Sequence, residues 1–517
     1  MNNGKICVSV CAETADELIE QIKRAEVLAD VIEIRFDCLD EEKFCYFSAE
    51  QLEPFFKKLT KLQLKKLLLA TNRPKDQGGL NLHLASEDFH RREAFFHNAR
   101  KFYEFGMVDG EYDFPICKAY FKNSVQIISF HDFQGIVNNL EEIYKKMSQE
   151  SEVVKLAVKT DDITDTIAVW KLLERAKAEK KQIIPIAMGE AGKWTRILGL
   201  AHGAFMTYAA LDAGRETAPG QVSAKDLIEV YRVKELNEET EVYGILGSNT
   251  SVSMSPYIHN AAFEFHNLNA VFVPLQVNDL DEFIRRMVKP ETREVELNFK
   301  GFAVTIPHKQ TIIKHLDSID ETAKKIGAVN TVKIIDGKLH GYNTDAKGFI
   351  EPLLNSYGDL CNAKVAVLGA GGAARACIYA LQKEGAKITI FARDLQKAND
   401  LADDFQVEFK ALGTQHSALG TFGDFDILVN TTPLGMKGKA EGETPAAAEQ
   451  LKGLHLVYDL IYTPFQTRLM KEADRAEVPK IGGLAMLIAQ AMEQQKIWTG
   501  KDAPMKEMSR AVLKRLQ

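Results

Sequence analysis

Lys155 lies inside an apolar run, Val153–Val158 (VVKLAV). Among such neighbours an ammonium is poorly solvated, so its charged form is disfavoured and its pKa falls. The neutral amine can then attack a ketone and form a Schiff base. His131 directly follows the preceding apolar run, Val125–Phe130, and imidazole is the side chain best suited to moving protons near neutral pH. An isolated strand lysine is more often an edge residue whose stem snorkels to water. A lysine and a histidine on consecutive runs point instead to carbonyl chemistry.

A second kind of chemistry is written in KVAVLGAGGAARA, from Lys364 onward. Val365–Leu368 reads as a buried strand. Gly369, Gly371 and Ala374 form G-x-G-x-x-A, with Ala370, Gly372 and Ala373 between them, and Cys377, Ala380 and Leu381 continue a helical pattern. Glycines permit a tight turn and close approach of backbone to a pyrophosphate, which the helix N-terminus then holds. The flanking strand, helix and second strand, Ile388–Phe391, lift the motif above a glycine-rich turn without a ligand. Past that second strand stand Arg393 and Asp394, with Lys397 close by. A 2′-phosphate wants the arginine and a bare ribose wants the carboxylate. Arg393 and Lys397 favour NADP; Asp394 leaves NAD open.

The elements that must position these groups alternate. Before about residue 222, short β-branched runs occur at Ile6–Val10, Val31–Phe36, Leu67–Ala70, Met107–Val108, Val125–Phe130, Val153–Val158, Ile183–Ala187 and Ala204–Thr207. Amphipathic stretches separate them, for example Leu18, Ile22, Ala25 and Ala29 on one face. Eight such units predict a (β/α)8 barrel, with Lys155 and His131 at the mouth formed by the C-terminal strand ends. The stretch 223–241 reads as a charged helix and polar connector. A second α/β region, 242–349, precedes the glycine-rich region, 350–480, and residues 481–517 read as helices. The fold class is therefore α/β throughout, a barrel followed by a two-domain half.

The 517 residues predict about three to four domains, and 45% hydrophobic with 26% charged residues is ordinary for a globular enzyme. A net charge of -7 argues against nucleic acid as a partner and leaves small anions open. The seven cysteines are odd in number and scattered, which suits a reducing compartment better than a disulfide framework. The first residues lack a signal-peptide core, and the longest apolar stretch, near Gly483–Met492, is too short to span a bilayer. The expectation is a cytoplasmic protein, unless a transit segment has been removed.

From Val242 onward the motifs resemble those of the shikimate dehydrogenases. They are Ser253-Met254-Ser255-Pro256 with His259-Asn260, Gly301 through Lys309 (GFAVTIPHK), Gly327 through Thr331 (GAVNT), and Gly341 through Asp345 (GYNTD). Asn430 through Met436 (NTTPLGM), Tyr462-Thr463-Pro464 and Gly483 through Gln490 follow in the same order. The resemblance implies a substrate-binding domain, a Rossmann NADP domain and C-terminal helices packed back on the substrate domain. It implies Lys309 and Asp345 as the catalytic pair, serving the oxygen of a ketone as hydride arrives. Ser253, Ser255 and Tyr462 would bind the substrate carboxylate, and Thr305, Asn330 and Gln490, with Asp345, its hydroxyls. Met436 and Met486 would line the nicotinamide pocket, and Thr431 and Gly483 would bind the cofactor. The family usually has His and Lys where Val252 and Met254 stand, a departure that bears on affinity and not on the chemical groups.

The first 222 residues resemble the type I 3-dehydroquinate dehydratases. The carriers are Glu33 through Asp37 (EIRFD), Thr71-Asn72-Arg73 with Gly78-Gly79, Ser129 through Phe133 (SFHDF), Val154 through Ala157 (VKLA), Met188-Gly189 with Arg196, and Ala218 through Gln221 (APGQ). The resemblance implies that Lys155 forms an imine with the substrate ketone and that His131 removes the adjacent proton and helps water leave. Arg196 would hold the carboxylate; Glu33, Arg35, Arg73, Thr217 and Gln221 would bind hydroxyls and order the site. The family commonly has Glu before the glycine pair, placed to bond the catalytic histidine. Here Gln77 stands there, preceded by Asp76. An amide in place of the carboxylate would leave His131 a weaker base.

His83, His90 and His97 recur at seven-residue spacing, too far apart on a helix to share a metal, so no metal is expected. Both resemblances together imply an enzyme that dehydrates 3-dehydroquinate and reduces the product, 3-dehydroshikimate, with NADPH, acting on small molecules without nucleic acid or membrane. The alternatives are a metabolite sensor built from the same domains, and a dehydrogenase whose dehydratase half is weakened by Gln77. Quinate as an extra substrate stays open.

Overall fold

Eight parallel strands follow one another around the first sheet: β1 (Lys5–Val10), β2 (Val31–Arg35), β3 (Leu67–Thr71), β4 (Met107–Glu111), β5 (Val125–Asp132), β6 (Val153–Lys159), β7 (Gln182–Met188) and β8 (Met206–Ala210). β8 pairs with β1 from Lys5↔Met206 to Ser9↔Ala210. The backbone N–H of Phe205 donates to Ile183 O at 2.8 Å and closes the ring between β7 and β8. This is the expected barrel. The computed structural model describes residues 2–40, 48–73, 94–112, 123–412, 421–438 and 440–516. The chain falls into two units, Met1–Val242 with Asn269–Asn298, and Tyr243–Leu268 with Phe299–Gln517.

Side chains alternate along a strand, so each barrel strand sends every second residue inward. At one end these are apolar: Cys7, Val31, Leu69, Met107, Ile127, Val153 and Ile184 form one buried cluster. Two residues further along, the same faces carry Ser9, Glu33, Thr71, Asp109, Ser129 and Lys155, all buried. The apolar layer supplies the burial; the polar layer is available for chemistry.

Three strands differ from the sequence expectation. β4 continues past Val108 through Asp109, Gly110 and Glu111, residues of low strand propensity held here by pairing on both sides. β5 reaches Asp132, so His131 lies on the strand and not after it. β8 begins two residues later than expected, at Met206. The stretch after the barrel also differs from a free polar connector. It adds a short strand, β9 (Val222–Ser223), and a helical turn, Asp226–Val230. It then packs down: Leu227, Val233 and Leu236 are buried, Lys234 pairs with Asp30 at 2.8 Å, and Asn2 Nδ2 donates to Val233 O at 2.7 Å.

Cys11 and Cys38 form a disulfide, with their Cα atoms 5.4 Å apart. This corrects the expectation of free thiols at these two positions. A separation of 27 residues conceals that both lie just past the C-terminal ends of adjacent strands, β1 and β2. Cys7, Cys361 and Cys377 are free.

Residues 269–298 of the first unit contain β11 (Ala270–Gln276). In the second unit β10 (Glu241–Gly247), β12 (Phe299–Val304), β14 (Thr331–Ile335), β15 (Lys338–Tyr342) and β13 (Ser318–Ile319) lie side by side in that order. Asp336 and Gly337, both at positive φ, make the two-residue turn between β14 and β15. The next sheet is wholly parallel, in the order β18 (Glu408–Ala411), β17 (Lys387–Ala392), β16 (Lys364–Leu368), β19 (Ile427–Asn430), β20 (Leu456–Asp459), β21 (Lys480–Gly482). In chain order that is 3-2-1-4-5-6, the doubly wound dinucleotide-binding arrangement, whose crevice opens where the order reverses, between β16 and β19. The helices Gly483–Thr499 and Met505–Leu516 pack against Ser255–Phe265 through Ile258, Ala262, Leu487, Ala491, Met508 and Val512. Among the described residues no helix is long and apolar enough to cross a membrane.

Candidate active sites

One cavity in the barrel is lined by Glu33, Arg35, Arg73, His131, Lys155, Arg196, Thr217 and Gln221. The eight barrel residues named from sequence as catalytic or substrate-binding therefore meet in one place. Burial pushes the Lys155 ammonium below its ordinary pKa, with the Arg73 guanidinium acting in the same direction and Asp109 opposing it. His131 is held well below its ordinary value, by burial first and then by Arg73 and Lys155. Both groups are thus biased toward their neutral, basic forms.

The cavity wall is a charge network that a sequence scan does not reveal. Lys155 Nζ lies 3.3 Å from Asp109 Oδ2, and Arg73 Nη2 donates to the same oxygen at 3.0 Å. Ser129 Oγ donates to Asp109 Oδ1. Glu33 accepts from Ser9 Oγ at 2.5 Å and from Thr71 Oγ1 at 3.0 Å. The cations Lys155, Arg73 and Arg35 overcome its burial and hold its carboxyl at about 2. Arg35 is fixed by two bonds to Asp37, of 2.8 and 2.6 Å. Thr217 and Gln221 bond each other side chain to side chain. Arg196 donates from Nη2 to Pro219 O at 3.3 Å, while its Nε and Nη1 are buried without a hydrogen-bond partner among the described residues. Burial lowers that guanidinium to about 10. An uncompensated buried guanidinium suits an anionic ligand.

Asp109 and Glu111 are charged residues of this site that sequence reasoning missed. Glu111 Oε2 lies 3.2 Å from His131 Nδ1, and Glu111 Oε1 accepts from Arg73 Nε at 3.4 Å. The available signal was the D-x-E spacing, which sends both carboxylates to one face if the strand continues. Gln77 and Asp76, expected to orient His131, lie outside the described residues, as do Gly78, Gly79, His83 and His90. The imidazole has a carboxylate neighbour from β4 regardless. Among the described residues no group of His, Cys, Asp and Glu could hold a metal.

In the second unit Lys309 Nζ pairs with Asp345 Oδ2. Asn330 Nδ2 donates to Asp345 Oδ1 at 2.8 Å and to Gln490 Oε1 at 3.4 Å, so four residues named from sequence form one contiguous group. Asn343 Oδ1 accepts from the N–H groups of Asp345 and Ala346 and so starts the helix that carries Asp345. Ser253 Oγ accepts from Ser255 N at 3.2 Å, and Thr305 N donates to Leu246 O at 2.9 Å. Tyr462 packs beside the Ile258 cluster, as does Met254. Val252 is exposed.

The glycine-rich turn faces this group. A Cβ at Gly372 would stand 3.3 Å from Lys309 Cδ, so the absence of a side chain lets the lysine lie against the helix N-terminus. Gly369 has φ +109°, and a Cβ there would come 2.5 Å from Thr431 Oγ1, which donates to Leu368 O. Gly371 is the N-cap of helix Gly372–Lys383; Ala370 packs beside the adjoining core and Ala373 is partly buried. Gly483 and Met486 lie at the start of helix Gly483–Thr499, Met486 buried, whereas Met436 is 42% exposed. Arg393 and Lys397 are exposed just past β17. Asp394 is occupied: its carboxylate caps the next helix by accepting from Lys397 N at 3.1 Å.

A ring of charge around a buried lysine in a parallel barrel, and a lysine–carboxylate pair beside a doubly wound sheet, define an enzyme with a lyase half and an oxidoreductase half. The type I 3-dehydroquinase family profile matches residues 6–238, and the shikimate dehydrogenase substrate binding domain profile matches 245–332. The shikimate / quinate 5-dehydrogenase profile matches 353–433 and the shikimate 5′-dehydrogenase C-terminal domain profile 483–513. The bifunctional 3-dehydroquinate dehydratase/shikimate dehydrogenase, chloroplastic, of Arabidopsis thaliana is 33% identical over 97% of this chain and 83% of its own. The NADP(+) shikimate dehydrogenase of Caldanaerobacter subterraneus is 40% identical over 52% of this chain and 94% of its own. A crystal structure of a shikimate dehydrogenase in complex with NADP+ has a TM-score of 0.48 and 38% identity, covering 55% of this chain and 98% of that one. The chain belongs to the bifunctional 3-dehydroquinate dehydratase–shikimate dehydrogenase family of aromatic biosynthesis.

Proposed function

We propose that Lys155 forms an imine with the ketone of 3-dehydroquinate and that His131 takes the adjacent proton and returns it to the departing hydroxyl. The imine supplies an electron sink, which makes that proton acidic enough for a neutral imidazole. Glu111 orients His131 and stabilises the imidazolium formed in the step. Asp109 keeps Lys155 beside Arg73 while leaving its amine accessible. Arg196 takes the substrate carboxylate, and Glu33, Arg35, Arg73, Thr217 and Gln221 take hydroxyls and fix the site. The observation that carries this reading is the convergence of these side chains on one cavity, with Lys155 biased toward its neutral form.

The product, 3-dehydroshikimate, is reduced in the second unit. NADPH, when bound, supplies the hydride. Lys309 donates a proton to the developing alkoxide and Asp345 holds the lysine and one substrate hydroxyl. Asn330, Gln490 and Thr305 bind further hydroxyls; Ser253, Ser255 and Tyr462 bind the carboxylate. The donor set suits a 2′-phosphate: Arg393 and Lys397 are exposed past β17, and Asp394 is engaged as a helix cap. The proposed division is a dehydratase barrel at 1–222, a connector at 223–241, a substrate domain at 242–349, an NADP domain at 350–480 and helices at 481–517. The proposed compartment is the cytoplasm.

Sodium borohydride added with 3-dehydroquinate tests the first half. Hydride reduces an imine to a stable secondary amine, so Lys155 should carry the ligand mass. A label on another lysine, or none, overturns the assignment.

A further inference from the structure

Tyr208 belongs to neither set of residues expected from sequence. It sits on β8, faces the barrel interior, is 3% exposed and lines the dehydratase cavity. Its hydroxyl is buried without a hydrogen-bond partner among the described residues. The other neutral hydroxyls around the cavity are engaged: Ser9 and Thr71 donate to Glu33, Ser129 to Asp109, and Thr217 bonds Gln221. Leaving a buried hydroxyl unpaired costs about 1–3 kcal/mol, a cost that a bound ligand oxygen would remove. The Tyr208 ring is also the surface on which Lys155 rests, with Nζ 4.1 Å from the ring centroid. The unpaired O–H is therefore carried by the ring in contact with the nitrogen that attacks the ketone.

Building on the Schiff-base reading of Lys155, we propose that Tyr208 is a further catalytic residue of the dehydratase, whose hydroxyl bonds the ketone oxygen and carries protons to it while that oxygen is displaced by Lys155. The balance of the step is closed. Lys155 as the neutral amine and the ketone give a neutral imine and one water. The nitrogen lone pair forms the C–N bond as the C=O π pair moves to oxygen; the C–O bond then breaks with its electrons leaving on water. Both protons on that water originate from the amine. The phenol passes each on by giving its O–H proton to oxygen and regaining one from nitrogen, and it ends unchanged. Burial, with the Glu33 carboxylate nearby, pushes the Tyr208 pKa up, so the phenol stays protonated and acts as a donor. The ring face also stabilises the positive charge that develops on nitrogen as the C–N bond forms, a role that phenylalanine would also fill. The hydroxyl alone is what sets Tyr208 apart.

Tyr208→Phe removes that hydroxyl and keeps the ring. Imine formation, followed in single turnover by borohydride quenching and mass of the Lys155 peptide, should slow by about tenfold or more, the usual contribution of a positioned proton donor. Steady-state dehydration should lose kcat with little change in KM, while NADPH-dependent reduction of added 3-dehydroshikimate by the same chain is unaltered. Tyr208→His, which restores a ring donor, should recover part of the rate. Trapping of Tyr208→Phe at the wild-type rate, a loss confined to KM, or equal rates for the Phe and His variants overturns the inference. Failure to trap wild-type protein at all overturns the Schiff-base reading itself, and this inference with it.

Discussion

Glu111 Oε2 stands 3.2 Å from His131 Nδ1, both side chains buried on adjacent strands of the barrel. A carboxylate in this position favours imidazolium and raises its pKa, opposing the burial and the cations Arg73 and Lys155 that hold His131 low. Glu111→Gln should therefore lower the His131 pKa further and make it a weaker base. The dehydration rate at pH 7 should fall by about tenfold or more, and the acid limb of the pH–rate profile should move to lower pH. Borohydride labelling of Lys155 should persist. An unmoved acid limb in Glu111→Gln, with a shift instead in Asp76→Asn or Gln77→Glu, would assign the partner to the segment before Gly78.

Much of the barrel site was legible in the sequence because its reactive residues break a pattern. A lysine inside VVKLAV and an EIR triplet inside a β-branched run stand out against their apolar neighbours, and the barrel pattern turns them from edge residues into residues of a polar cavity. Asp109 and Glu111 were not legible for the opposite reason. Met-Val-Asp-Gly-Glu reads as a strand ending in a turn, and only pairing to β3 and β5 keeps it extended. Tyr208 escaped because an aromatic in a strand is ordinarily core, and its hydroxyl matters only once its lack of a partner is seen. The Cys11–Cys38 pair depends on two strand ends being neighbours, which spacing alone does not reveal.

Arg393 is exposed past β17, free of the capping duty that occupies Asp394. Arg393→Ala should weaken NADPH by roughly 1.5–3 kcal/mol, the range for a hydrogen bond to a charged group, or about tenfold to a hundredfold in KM. NADH should change little. Steady-state kinetics with both cofactors checks this; equal losses would place Arg393 away from the 2′-phosphate.

Asp345 holds Lys309 through one oxygen and accepts from Asn330 through the other. Asp345→Asn should reduce kcat for shikimate oxidation by about a hundredfold, at the lower end of what a general acid–base group contributes, and raise KM for shikimate through the lost hydroxyl contact. Dehydration of 3-dehydroquinate by the same variant should be unaffected. Full oxidation activity in Asp345→Asn would remove it from the catalytic pair.

His259 is fully buried, donates from Nε2 to Gln494 Oε1 at 3.2 Å, and burial lowers it to about 4. Its pKa is thus depressed on folding. Between about pH 6.5 and pH 4 the unfolded chain binds a proton that the folded one refuses, so stability falls as pH drops through that window and is fully present above it. The loss is on the order of 3 kcal/mol at its limit. The urea midpoint for loss of dehydrogenase activity should fall from pH 7 to pH 5, and His259→Gln should flatten that dependence. An unchanged slope in the variant would trace the effect to other groups.

The direct test of a two-activity chain is shikimate formation from 3-dehydroquinate and NADPH, followed by chromatography and by NADPH absorbance. Wild-type protein should accumulate shikimate with one NADPH consumed per molecule. Lys155→Ala should form none, and should regain NADPH consumption when 3-dehydroshikimate is added. Shikimate made by Lys155→Ala from 3-dehydroquinate at the wild-type rate would contradict the account.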